Sequence, residues 1–187
     1  MSLPDLTGRT ICILATNGFE QSELIKPRDT LRDAGATVHV VSPESGEIRG
    51  WQGDDWGDSV SVDAPLDGAK ESDYDALVLP GGQINPDLLR ANDTAMALIK
   101  SFADAGKPIA AVCHAPWLLI EAGVISGRHV TSYASIKTDV KNAGGVWEDS
   151  AVVVDNGLIT SRKPGDLDAF CAAIITEISK AAHNQAA

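Results

Sequence analysis

Short runs of consecutive apolar residues recur along the chain, and segments with helical spacing of apolar residues separate them. Such runs are typical of strands that are buried on both faces of a parallel sheet. They are predicted at residues 10–15, 37–41, 75–79, 109–112 and 128–131. A hairpin of residues 151–154 and 158–160, joined by Asp155-Asn-Gly, completes the sheet. Residues 59–62 alternate in polarity and predict a short exposed strand.

The intervening segments predict helices at residues 20–35, 93–106, 116–123, 136–143 and 164–178, and we expect the tail of residues 181–187 to fray. Pro27 would kink the first helix or delay its start. Alternation of strands and helices predicts an α/β protein: a three-layer sandwich with a mostly parallel sheet and helices on both faces. No linker or repeat divides the chain, so we expect one domain over residues 1–187.

Composition excludes several kinds of protein. A net charge of -11 argues against non-specific binding to nucleic acid or to anionic membranes, because both depend on clustered positive charge. The N-terminus lacks the pattern of a signal peptide, and no apolar run is long enough to span a bilayer. The cysteines are widely spaced without a C-x-x-C pair, so neither a disulfide framework nor a zinc site is expected. We therefore expect a cytoplasmic protein without a metal.

Cys113 stands where one of these strands turns into a helix. In an α/β sheet this corner lies at the carboxyl edge, where ligands bind, and the helix N-terminus beyond it favours a thiolate. Glu20 and the Gly81-Gly82 pair follow two other strands and should reach the same edge. The alternative is that Cys113 is a small buried apolar residue. Its position at the corner favours a nucleophilic role, whereas Cys12 and Cys171 have no such position.

Four stretches together resemble the DJ-1/PfpI superfamily, in particular its PfpI-type intracellular proteases and deglycases. They are Asn17-Gly-Phe-Glu-Gln-Ser-Glu-Leu24, Leu77-Val-Leu-Pro-Gly-Gly82, Ala111-Val-Cys-His-Ala-Pro116 and Thr160-Ser-Arg-Lys-Pro-Gly-Asp-Leu167. The resemblance covers nearly the whole chain, in family order. It implies a flavodoxin-like fold, related to that of class I glutamine amidotransferases, with a cysteine nucleophile elbow.

The resemblance also implies roles for individual residues. Cys113 becomes the nucleophile, His114 its base, and Glu20 the protonated carboxyl that bonds to the sulfur. Gly82 and His114 supply the oxyanion amides, and Gly81 and Trp117 border the substrate. Asp87 is the nearest match to an acid that completes the triad across a subunit interface, although it is one methylene shorter than the family's glutamate.

These roles have competing interpretations. Glu20 could only favour a helix N-terminus, and Asp87 could be an ordinary surface acid. Trp51, Trp56 and Trp117 could line a site or cover an interface, and packing in the core or at an interface is the preferred interpretation of Trp51 and Trp56. Two other departures from the family pattern are Ala115 in place of glycine and Trp117 in place of glutamine.

The function implied by the resemblance is a stress-response enzyme without a cofactor that removes glyoxal or methylglyoxal, free or as early adducts on proteins and nucleotides. A peptidase that cleaves intracellular proteins is the alternative within the family. A redox sensor or holdase that uses oxidation of Cys113 is a different class of function. A glutaminase is disfavoured, because His183 lacks the glutamate partner of a His-x-Glu pair. We expect a homo-oligomer, either a dimer or a hexamer.

Overall fold

The structure, a computed structural model, describes residues 3–185, with side chains described as far as residue 182. The helices are α1 (Gln21–Asp33), α2 (Ile84–Leu89), α3 (Asp93–Asp104), α4 (Pro116–Glu121), α5 (Lys137–Asn142) and α6 (Leu167–Gln185). The strands are β1 (Thr10–Leu14), β2 (Phe19–Glu20), β3 (Thr37–Ser42), β4 (Glu47–Gln52), β5 (Asp55–Ser61), β6 (Ala64–Pro65), β7 (Ala76–Leu79), β8 (Ile109–Val112), β9 (His129–Val130), β10 (Val146–Trp147), β11 (Val152–Asp155) and β12 (Leu158–Ser161).

A seven-stranded sheet forms the centre of the molecule, in the order β11-β12-β8-β7-β1-β3-β6. Its neighbouring strands are parallel except for the β11–β12 hairpin at one edge. Asn156 and Gly157 in the hairpin turn have φ values of 45° and 80°. Two successive positive φ angles match a type I′ turn, which Asn-Gly favours, so the predicted hairpin is confirmed.

Apolar side chains cover both faces of this sheet. Alternate residues of β1 point to opposite sides: Ile11 and Ile13 contribute to one core, and Cys12 and Leu14 to the other. Helices α1 and α6 pack on the first side, and α2, α3, α4 and α5 on the second. The predicted α/β three-layer sandwich is therefore confirmed.

Helix α1 begins at once after β2 and runs through Pro27 without interruption. Its buried face consists of Glu23, Leu24, Pro27 and Leu31. The expectation that Pro27 delays the start of the helix is wrong, because α1 already begins at Gln21. The consequence for the site is that Glu23, a charged residue type, lies on the inner side of the helix.

The strand predicted at residues 128–131 does not join the central sheet. Residues 129–130 form β9, which pairs with β10 in a separate two-stranded sheet. The exposed strand predicted at residues 59–62 lies at 55–61 as β5, within a three-stranded sheet ordered β2-β4-β5. That small sheet brings Trp51 beside Glu20, because these two residues are partners in the β2–β4 pairing.

Fraying was predicted from residue 181 onward, but helix α6 continues to Gln185. Residues 186 and 187 lie outside the part of the chain that the structure describes. Within the described part of the chain, no helix combines the length and apolar character that crossing a membrane requires.

Candidate active site

Cys113 follows β8 directly and adopts a left-handed backbone conformation, with φ of 65°. This conformation costs a non-glycine residue on the order of 1 kcal/mol and is uncommon outside turns and functional sites. Two backbone hydrogen bonds hold it: the Cys113 N–H donates to Ser161 O at 3.0 Å, and the Tyr133 N–H donates to Cys113 O at 2.8 Å. The cysteine therefore occupies a fixed corner at the carboxyl edge of the sheet.

The His114 side chain contacts the neighbouring cysteine. Its Nδ1 lies 3.1 Å from Cys113 Sγ, and its Nε2 lies 3.2 Å from Ser135 Oγ. Adjacent side chains normally diverge, but the left-handed turn at Cys113 brings these two together. The imidazole ring also stacks on Tyr133, with centroids 4.8 Å apart, and meets Trp117 edge-on at 5.2 Å. These contacts fix the ring against the thiol.

The carboxyl group beside the sulfur belongs to Glu23 and not to Glu20. Glu23 is fully buried, and its Oε2 accepts a hydrogen bond from the Gly81 N–H at 3.0 Å. The carboxyl lies close enough to the Cys113 thiol for the two ionisations to affect each other. Its other oxygen, Oε1, is buried without a hydrogen-bond partner among the described residues.

The expectation that Glu20 contacts the sulfur is therefore wrong. Glu20 is the N-cap of α1: its Oε2 accepts a hydrogen bond from the Glu23 N–H at 3.0 Å and another from the Ser22 hydroxyl. A residue three positions further on, in the first turn of the helix, points inward instead.

Burial raises the pKa of Glu23 to about 8, and the negative charge of Glu20 adds to this shift. Glu23 consequently keeps its proton at neutral pH. Burial lowers the pKa of His114, so the imidazole is neutral at the same pH and can accept a proton.

The prediction of a lowered thiol pKa is wrong. Burial, followed by the charge on an ionised Glu23, raises the pKa of Cys113, and this outweighs hydrogen bonds from the amides of Gly82 and His114. Helix α4 has only six residues and begins three positions beyond the cysteine, so its dipole has little effect on the sulfur. The thiol therefore needs a base in order to react.

Gly81 and Gly82 pack against this group so closely that no side chain fits. A Cβ on Gly81 would lie 2.4 Å from Glu23 Oε2 and 2.7 Å from Cys113 Cβ. Gly82 has a φ of +81°, and its Cβ would lie 2.6 Å from Gly18 O. The pair lets the backbone amides reach both the carboxyl and the sulfur.

Asn85 ties the two loops of the site together. Its buried side chain accepts a hydrogen bond from the Thr16 N–H at 2.8 Å and donates to Pro80 O at 2.8 Å. The loop after β1, which leads to α1, and the loop after β7 are thus held in one position. No pattern in the sequence singled out Asn85.

A cavity of about 360 Å³ opens in front of the sulfur. Its walls come from the loops after β1, β7 and β8, and also include Trp51, Tyr133 and Pro164. This volume suits a small molecule or one side chain. Among the residues that the structure describes, no three His, Cys, Asp or Glu side chains are grouped so as to hold a metal ion.

Three expected site residues, Gly81, Asp87 and Trp117, do not line this cavity. Asp87 is in the first turn of α2, and its carboxylate pairs with Arg90 at 2.6 Å. Trp117 donates a hydrogen bond to Asp139, and Arg90 lies 4.6 Å above its ring. Trp117 thus contacts the His114 ring and does not line the cavity.

Several residues of the site were not identified from the sequence. Glu23 could have been found, because it shares the i, i+4, i+8 spacing of the buried face with Pro27 and Leu31. Trp51 and Ser135 reach the site through elements with weak sequence patterns, so no comparable signal existed for them.

Residues 9–177 match the DJ-1/PfpI family. The deglycase TK1284 of Thermococcus kodakarensis is 44% identical over 160 residues, which cover 86% of this chain and 93% of that protein. YraA of Bacillus subtilis, named a putative cysteine protease, is 39% identical over 163 residues, covering 87% and 94% respectively. The crystal structure of Drosophila melanogaster DJ-1beta superposes with a TM-score of 0.82 at 29% identity, covering 95% and 97%. The chain belongs to the DJ-1/PfpI family.

Proposed function

We propose that this protein is a cysteine-dependent deglycase that removes glyoxal or methylglyoxal, free or as early adducts on protein side chains and nucleotides. The observation that carries the proposal is the contact of Cys113 Sγ with His114 Nδ1 at 3.1 Å, at the wall of a cavity with room for a small carbonyl compound. The relative TK1284, named a deglycase, supports the same activity.

His114 activates the thiol in this proposal. The neutral imidazole accepts the thiol proton at Nδ1 while the sulfur attacks the aldehyde carbon. A new S–C bond forms, and the C=O π electrons move onto the oxygen. Ser135 Oγ accepts a hydrogen bond from the protonated Nε2 and so keeps Nδ1 free for this role.

The amides of Gly82 and His114 stabilise the negative charge on the substrate oxygen, since both already point at the sulfur. Glu23 assists because it is protonated at neutral pH. Its carboxyl proton donates toward the sulfur and stabilises the thiolate as it forms.

The remaining steps need only one water molecule. A base in the site moves a proton from the former aldehyde carbon to the neighbouring ketone carbon, which leaves a thioester of the hydroxy acid on Cys113. Water then attacks the thioester and releases the thiol. Methylglyoxal plus water thus gives lactic acid: the aldehyde carbon is oxidised as the ketone carbon is reduced, so no external oxidant takes part. From an adduct, the bond between the former aldehyde carbon and the adducted nitrogen or sulfur breaks first: the adduct hydroxyl loses its proton, the aldehyde C=O re-forms, and the amine, guanidine or thiol leaves with that proton. Cys113 then attacks the aldehyde as above.

Peptide hydrolysis is the second candidate, and the name of the relative YraA favours it. The same nucleophile and oxyanion amides would form an acyl-enzyme from a peptide. The compact cavity favours the smaller carbonyl substrate.

We also propose that the chain forms a homo-oligomer, a dimer or a hexamer, in which Asp87 approaches the site of a neighbouring subunit. Support comes from α2, where Leu88 and Ile84 expose 54% and 36% of their surface next to Asp87. Light scattering of the purified protein measures the assembly. A monomer with full activity would remove this role for Asp87.

The decisive experiment compares the wild type with Cys113→Ser and with Cys171→Ser, a matched change at a buried cysteine outside the site. Methylglyoxal consumption, lactate formation and casein cleavage are measured in parallel. We expect wild type and Cys171→Ser to form lactate and Cys113→Ser to form none. Casein cleavage without lactate would support the peptidase, and lactate formation by Cys113→Ser would refute the mechanism.

A further inference from the structure

Glu20 and Trp51 stand side by side on the wall of the cavity. They are partners in the β2–β4 pairing, and both border the space in front of Cys113. The mechanism proposed above uses neither side chain as a reacting group. We call these two residues the Glu20–Trp51 wall.

The Glu20 carboxylate has an unused acceptor. Its Oε2 accepts the two hydrogen bonds that cap α1, whereas no described residue donates to Oε1. No lysine or arginine of the described chain forms an ion pair with it, and Lys26, close by in α1, pairs with Asp168 at 2.6 Å. A cation in the cavity would therefore meet a carboxylate that has no charged partner.

The Trp51 ring is held in place from two directions. Its Nε1–H donates to Gly53 O at 2.8 Å, and the ring meets Trp56 edge-on with centroids 5.4 Å apart. A fixed indole face attracts ammonium and, more strongly, the flat guanidinium group. Its position next to Glu20 provides the two contacts that a guanidinium group commonly makes, stacking and hydrogen bonding to a carboxylate.

The charge of the cavity also favours a cationic ligand. Its lining contains the charged carboxylate of Glu20 and the protonated, neutral carboxyl of Glu23, but neither lysine nor arginine. The chain as a whole carries a net charge of -11. A phosphate or a free carboxylate on the substrate would be repelled, while a cation would be drawn in.

We propose that the Glu20–Trp51 wall selects carbonyl adducts that carry a cationic guanidinium or ammonium group over neutral adducts and over anionic adducts such as those of nucleotides. This inference rests on the proposed deglycase activity and adds the charge class of its preferred substrate. The carbonyl carbon faces Cys113 while the cationic part lies between the Trp51 ring and the Glu20 carboxylate.

The test compares methylglyoxal adducts of three compounds. N-acetyl-arginine amide gives the cationic adduct, N-acetyl-cysteine amide the neutral one and guanosine monophosphate the anionic one. The measured quantity is kcat/KM for each, expressed as the ratio of cationic to neutral substrate. A ratio is needed because the charge of Glu20 also supports the protonation of Glu23, so its loss affects every substrate.

Glu20→Gln keeps an oxygen to cap α1 but removes the charge. We expect it to lower the cationic-to-neutral ratio about tenfold, and Trp51→Leu to lower it about fivefold. Raising the salt concentration should lower the wild-type ratio and leave that of Glu20→Gln unchanged. Glu20→Asp should retain part of the preference. Glu47→Gln removes an equal charge on β4 away from the cavity and should leave the ratio at the wild-type value.

An unchanged ratio in Glu20→Gln, or a wild type that prefers the nucleotide adduct, would overturn this inference while lactate formation continued. Loss of all lactate formation in the wild type, by contrast, would refute the deglycase proposal itself. Thermal unfolding of each variant shows whether it remains folded.

Discussion

Replacing Glu23 by glutamine should make the protein more stable at alkaline pH. The folded state raises the pKa of this carboxyl from 4.5 to about 8, mainly because the side chain is buried. Between these two values the folded protein binds a proton that the unfolded chain has lost. The stabilisation present below about pH 4.5 is therefore lost progressively as the pH rises toward about 8.

The size of the effect follows from that shift. At roughly 1.4 kcal/mol for each pH unit, ionisation of Glu23 lowers the unfolding free energy of the wild type by on the order of 4 kcal/mol between about pH 5 and about pH 9. Glutamine keeps an oxygen for the Gly81 N–H and carries no charge at any pH. Glu23→Gln should therefore gain stability relative to the wild type by about this amount over the same interval.

Urea unfolding at several pH values measures the difference in unfolding free energy between the two proteins, and thermal unfolding at the same pH values gives their melting temperatures. Both proteins should carry Cys113→Ala, which removes the titration of the thiol, and all other groups cancel in the comparison. We expect the melting temperature of Glu23→Gln to exceed that of its parent by about 10 °C near pH 9. A difference that does not change with pH would show that Glu23 is already ionised in the folded protein, and would refute the reasoning.

Other predictions test neighbouring parts of the site. Gly82→Ala should lower the unfolding free energy by at least about 3 kcal/mol in a denaturation experiment, because the new Cβ would lie 2.6 Å from Gly18 O. Gly46 has a similar φ of +80° but open space around it, so Gly46→Ala should lower the unfolding free energy by only about 1 kcal/mol. An equal loss of stability in both variants would contradict the close packing of Gly82. Ser135→Ala should lower kcat/KM for methylglyoxal about tenfold with little change in melting temperature, because His114 Nε2 loses its partner; an unchanged rate would show that Ser135 does not orient the base. Mild peroxide should oxidise Cys113 before Cys12 and Cys171 in mass spectra, since their exposures are 6%, 0% and 2%. Selective oxidation in a protein that forms no lactate would favour the redox sensor.

The sequence was informative wherever a local pattern determines the structure. Each central strand is a short apolar run because both faces of the sheet are covered, and Asn156-Gly157 has the left-handed conformations that its hairpin requires. The position of Cys113 at a strand end follows from the same alternation. These features depend on neighbouring residues, which is why they could be predicted.

The errors arose where contacts between distant segments decide the outcome. Glu20 and Glu23 are both glutamates near a helix start. The spacing of apolar residues in α1 indicates that Glu23 lies on its buried face, but contact of this face with the sulfur depends on how α1 lies on the sheet. The raised pKa of Cys113 likewise reflects burial by several loops, which a local view of helix α4 does not reveal. Ser135 and Trp51 belong to other segments of the chain, so patterns around Cys113 could not predict their contacts with the site.

The pH dependence of kcat/KM for methylglyoxal tests most directly whether His114 deprotonates Cys113 while Glu23 keeps its proton. We predict a bell-shaped profile that rises below pH 6.5 as His114 loses its proton and falls near pH 8 as Glu23 ionises. The falling limb should disappear in Glu23→Gln. A wild-type rate that keeps increasing through about pH 9, as expected of a thiol that reacts only after ionising by itself, would contradict this account.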